Sequence, residues 1–186
     1  MEKYFQDSID EAVATLKDNN IYLEVVKKLS RESLFTQVEI DIQSMKASLA
    51  FSQTILIGQS AESLMLSYES LFAFGMIMSA GTTDVIVMSA ALNFDYFMNP
   101  YLLELKDLMI RKQKDYGKSN ILKFGHIGLM VRMSDKIERI KNLMTNGKTP
   151  QNESLDDSFR DIINYAIIGT MLLQGTFERP LKEDNT

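Results

Sequence analysis

Three side chains near the C-terminal end, Asp157, Asp161 and Tyr165, are the residues whose types and spacing most clearly suit chemistry. In "ESLDDSFRDIINYAIIGTMLLQGTF" Asp157, Asp161 and Tyr165 follow at i, i+4 and i+8, with Asn164 beside them. That spacing puts them on one stripe of a helix. The same stripe continues into Ile168 and Leu172, and the other side carries Leu155, Phe159, Ile162, Ala166 and Leu173. A helix apolar on nearly every side is buried, so the two carboxylates are expected on a stripe that enters the interior. Carboxylates there need cations or donors, because an unpaired buried charge is too costly to keep.

Two stretches offer the cations. In "IGLMVRMSDKIERIKNL", Met130, Met133, Ile137, Ile140 and Met144 make a core stripe, while Arg132, Asp135, Lys136 and Arg139 form a second, charged stripe at i, i+3, i+4 and i+7. "KQKDYGKSN", residues 112–120, sets a compact Asp115-Tyr116-Gly117 between lysines, including Lys114 and Lys118. Turn chemistry around Gly117 accounts for that stretch as an ordinary turn, and an ion-pair ladder accounts for the charged stripe. The alternative is a site. Magnesium favours carboxylate oxygens and often takes a substrate phosphate as a further ligand, and two aspartates one helical turn apart can share such an ion.

The elements that must position these residues read as helical almost throughout. Phe5, Ile9, Ala12 or Val13, and Leu16 mark a first amphipathic helix, closed by Asp18-Asn19-Asn20. Leu34, Val38, Ile42, Met45, Leu49 and Leu56 keep a helical period up to Gly58; "VEIDIQ", 38–43, alternates like a strand, but the longer period on both sides decides for helix. Thr82-Thr83-Asp84 offers an N-cap, and Asn99-Pro100 is expected to break the chain. Three further helices follow at about 100–114, 127–145 and 153–177. The expected fold class is all-α, a single helical bundle of about six to eight helices over 1–186: N-terminal helices to 99, a core over 100–178 and a tail at 179–186.

Composition narrows the function classes. A formal charge of −5 argues against general binding to nucleic-acid backbones. Zero cysteines exclude disulfides and thiolate chemistry, and fit a cytoplasmic location. The single histidine, His126, leaves serine-type triads and histidine-rich zinc sites without their parts; a structural role is the expectation for it. Gly-Lys pairs in "GKTPQ" and "GKSN" lack the spaced first glycine of a phosphate-binding loop. The apolar stretch 64–98 is interrupted by Glu69, Asp84 and Asp95. A span needs roughly 20 apolar residues, so this reads as core or as the interface of a homo-oligomer, not as a membrane segment.

"KQKDYG", then "RMSDKIERI", then "DDSFRDIINYAI" recur in an order and spacing that resembles the nucleotide modification associated domain family, small helical proteins found largely in bacteriophages and their hosts. The resemblance covers about 100–175 and implies a role in handling nucleotides. More distantly, the acid-bearing helices look similar to all-α NTP pyrophosphatases of the MazG type, although no Glu-x-x-Glu occurs here. Together these imply a concrete arrangement. Asp157 and Asp161, with Asp135, would hold Mg²⁺ over a nucleotide triphosphate. Lys114, Lys118, Arg132, Lys136 and Arg139 would neutralise phosphate oxygens, and Tyr116 or Tyr165, with Asp115, would line a base pocket. A metal-activated water would then release pyrophosphate. The alternative from another class is a non-catalytic helical oligomer that sequesters a nucleotide or binds a host protein.

Overall fold

Apolar side chains recurring at helical spacing assemble seven helices and no strand among the described residues, in a computed structural model that describes 3–18, 31–51, 57–79, 84–147 and 153–182. In chain order these are α1 (Phe5–Asp18), α2 (Arg31–Phe51), α3 (Ile57–Ser79), α4 (Asp84–Tyr116), α5 (Ser119–Leu122), α6 (Gly125–Thr145) and α7 (Leu155–Leu173). The all-α bundle expected from the sequence is what forms. "VEIDIQ" is helical: Val38 and Met45 are buried with Asp41 between them, while Ile40 is 55% exposed. The three-to-four-residue period therefore decides its partners, not the local alternation.

Helices α3 and α7 form the centre. Every residue from 67 to 78 is buried, so this part of the apolar stretch forms the core of the chain. Two glycines permit the close α3–α7 approach. A Cβ on Gly169 would stand 2.2 Å from Cζ of Tyr68, and one on Gly75 would stand 2.5 Å from Cγ1 of Ile163. Helix α2 covers α3, α6 lies against α7 and α2, and α1 packs on α7. The C-terminal tail is tied back to α1: Phe5 N–H donates to the Pro180 carbonyl at 2.7 Å, and Phe5 meets Phe177 edge to face.

The expected break at Asn99-Pro100 does not occur, because α4 runs through both residues. Proline removes one helical donor, but its fixed φ is itself helical, and Asn99 and Pro100 lie on an exposed side. The proposed cap at Thr82-Thr83 lies outside the described residues. Gly117 ends α4 at φ 64°, a left-handed conformation that glycine adopts without a Cβ penalty, and its N–H donates to the Gln113 carbonyl at 3.0 Å. That turn redirects the chain into α5 and brings α6 alongside α7.

Candidate functional site

The interior stripe of α7 and the end of α4 meet at a cavity of about 300 Å³. Helix α7 contributes Asp161, Asn164, Tyr165 and Ile168, and α4 contributes Met109, Lys112, Gln113 and Tyr116. Each set spans i, i+3, i+4 and i+7, one face of a helix. Gly117, Asn120 and Ile121 come from the turn and α5, Arg132 from α6, and Phe5 from α1. The walls mix apolar and aromatic surface with a few convergent polar groups, the usual make-up of a small-ligand pocket.

Asp161 is the electrostatic pivot. Lys112 Nζ lies 3.0 Å from Oδ1 and Lys136 Nζ 2.8 Å from Oδ2. Lys136 also reaches Glu153 at 3.2 Å. Burial alone would lower the Lys136 ammonium, but the hydrogen bonds and charges of Asp161 and Glu153 outweigh it, and the net shift is upward. The carboxylate expected to need cations thus has two. Arg132 differs. It is half-buried, lines the cavity, and has no carboxylate partner among the described residues.

Asn164 is the one buried polar residue whose side-chain amide has neither its oxygen nor its nitrogen satisfied among the described residues. It is 4% exposed and lines this cavity. Its spacing places it beside the acidic stripe, and the signal that marks it is an amide at i+3 from Asp161 on a buried helix face.

Several expected site residues are engaged elsewhere. Asp157 is the N3 residue of a capping box: its carboxylate accepts from the Ser154 hydroxyl at 2.7 Å and from the Ser154 N–H at 2.9 Å. The Ser154 hydroxyl bond is the main cause of its lowered pKa. Asp135 is exposed on α6 and is not among the residues that line the cavity. The three acids therefore do not converge, and among the described residues no group of three or more His, Cys, Asp or Glu side chains is placed to hold a metal ion. The three-acid Mg²⁺ site expected from the sequence is therefore not assembled among the described residues.

The cations divide in the same way. Lys118 donates to the carbonyls of Glu178 at 2.8 Å and Arg179 at 2.6 Å, fastening the C-terminal tail, and partial burial lowers its pKa. Arg139 holds the entry to α7, donating to the Ser154 carbonyl at 3.3 Å, to the Glu153 carbonyl and to the Ser158 hydroxyl. Lys114 and Asp115 are exposed and do not line the cavity. Tyr116 and Tyr165 do. His126 has the structural role expected: its Nδ1 lies 2.7 Å from the hydroxyl of fully buried Tyr68, and burial pushes its pKa down.

Residues 112–173 match the family described as Nucleotide modification associated domain 1. The matched segment is a third of the chain and falls within the region expected from the sequence motifs. It contains every residue lining the cavity except Phe5 and Met109. The MazG likeness is not shown. No curated protein and no solved structure matches the chain.

Proposed function

We propose that the chain is a nucleotide-handling protein whose cavity between α4, α6 and α7 binds a nucleotide. The observation that carries the reading is Arg132, a guanidinium without a carboxylate partner among the described residues, lining a cavity that lies almost wholly within the matched segment. Guanidinium is suited to phosphate because its planar fork of donors meets two oxygens at once. Tyr116, 68% exposed at the rim, and Tyr165 supply aromatic surface for a base. Lys112 and Lys136 are already held by Asp161, so the reading gives the cavity one uncompensated cation and favours a ligand with one phosphate group over a triphosphate.

The reading is of binding. Hydrolysis through Mg²⁺ on Asp157, Asp161 and Asp135 is not part of it, since Asp157 caps α7 and Asp135 does not line the cavity. Calorimetric titration with nucleoside mono-, di- and triphosphates tests it. Saturable one-to-one binding, weakened about tenfold or more in Arg132→Gln, is the expected result. No binding of any nucleotide at millimolar concentration refutes it.

A further inference from the structure

The solvent-facing side of α6 carries large apolar side chains where polar ones would be expected. Phe124, Ile127 and Val131 are all exposed, and apolar residues grouped in this way on one exposed face mark an interaction surface. Ile127, Val131, Ser134, Asp135 and Glu138 recur at i, i+4, i+7, i+8 and i+11, one face of the helix. Phe124 precedes α6 but is held over its first turn. Its carbonyl accepts from the Gly128 N–H at 3.2 Å, and a Cβ on Gly128 would stand 2.7 Å from that of Phe124. Lys123 lies beside it, with Nζ 5.4 Å from the centre of the ring. None of these residues lines the nucleotide cavity.

Next to this face, α2 and α6 border a groove of about 700 Å³ whose walls include Ile40, Ile42, Ser134 and Ile137. Charge divides along the face: Lys123 stands at its start, and Asp135 and Glu138 at its end. None of the three makes an ion pair among the described residues. A lipid or nucleic-acid surface would attract Lys123 but repel the two acids. A second copy laid antiparallel suits both ends. Facing residues on two such helices share one midpoint, because both helices rise equally per residue. Setting Ile127 against Val131 of the second copy puts that midpoint at position 129. The same midpoint sets Lys123 against Asp135, and Phe124 against Ser134 on the groove wall.

We propose that the chain forms a two-fold dimer through this face of α6. Each copy seats its Phe124 in the α2–α6 groove of the other, and Lys123 pairs with Asp135 at both ends. The contact is isologous, so every interaction occurs twice, with an apolar centre and a charged rim. The proposal is independent of the nucleotide reading.

Sedimentation velocity over a concentration series tests it, with folding of each variant checked by thermal unfolding. The expected wild-type species has twice the 21.2 kDa mass of one chain. Phe124→Ala is expected to raise the dimer dissociation constant by about tenfold or more, as loss of a buried aromatic anchor does. Lys123→Glu and Asp135→Lys are each expected to weaken the dimer, and the two combined in one chain to restore it. All of these positions are exposed, so unfolding temperatures of the monomeric variants should stay close to one another. A wild-type protein that remains monomeric at millimolar concentration overturns the proposal. So does a dimer that Phe124→Ala leaves unchanged, or one that the double charge reversal fails to restore.

Discussion

Replacing Asp161 by asparagine removes the carboxylate that holds Lys112 and Lys136 while keeping the shape of the side chain. Two effects follow. The first is on stability: Asp161 and Lys136 are 16% and 21% exposed at the side chain, between a surface pair and a buried one. Surface pairs contribute under about 1 kcal/mol and broken buried pairs cost about 3–5 kcal/mol, so the loss expected here is roughly 1–2 kcal/mol, moderated because Lys136 retains Glu153. The second effect is on binding. Asp161 is the anionic residue among those lining the cavity, and its removal leaves Lys112 uncompensated beside Arg132. Removing a unit of repulsion roughly 8 Å from a phosphate is worth about 0.5–2 kcal/mol at effective dielectric constants between water and a protein surface. That is roughly a twofold to thirtyfold gain in affinity. Asp161→Asn is therefore predicted to unfold at a lower temperature yet bind a nucleoside monophosphate more tightly, with the gain shrinking in high salt. Thermal unfolding and calorimetry at two salt concentrations measure both. A folded variant that has lost nucleotide affinity would refute the reasoning and return Asp161 to the role of a ligand to a bound cation.

Three further predictions concern the frame around the cavity. Gly169→Ala places a Cβ 2.2 Å from the ring of buried Tyr68; overpacking of this kind costs about 1–3 kcal/mol, read as a lower midpoint in denaturant unfolding. Asp41 is 6% exposed and its carboxyl is pushed up by burial to about 6 from its ordinary 3.8, against the opposing hydrogen bonds from Ser70 and Gln37. The folded state thus holds this proton more tightly than the unfolded chain does, so stability from this group is greatest below pH 3.8 and is lost as pH rises through about 6. The difference is on the order of 3 kcal/mol. Unfolding free energies of wild type and Asp41→Asn from pH 4 to 7 isolate it, since the variant lacks this slope. Ser154→Ala removes half of the capping box at α7 and is expected to cost about 1 kcal/mol, with nucleotide affinity unchanged.

Much of the frame was legible from periodicity. The α7 stripe was readable because Asp161, Asn164, Tyr165 and Ile168 recur on one helix face regardless of tertiary context, and these residues do line the cavity. The turn at Gly117 was readable for the same local reason, and the segment from Lys112 to Asn120 borders the cavity. The partner choices were not. Asp157 and Asp161 are equivalent by spacing, but Asp157 stands three residues after Ser154 at a helix start, where the N–H and hydroxyl of Ser154 claim it. Lys118 and Arg139 looked like phosphate ligands because charge alone does not say which carbonyls lie nearby; the C-terminal tail and the start of α7 take them. Lys112 pairs with Asp161, whereas Lys114, two residues further along α4, is not on the cavity wall; charge alone does not distinguish the two.

The central claim is tested most directly by titrating the purified protein with deoxynucleoside monophosphates beside Arg132→Gln, with each protein's folding verified by its unfolding curve. The account predicts saturable one-to-one binding for the wild type and an affinity about tenfold or more weaker for the variant, with no comparable change in unfolding temperature. Equal affinities in the two proteins, or no binding in either at millimolar ligand, would contradict it.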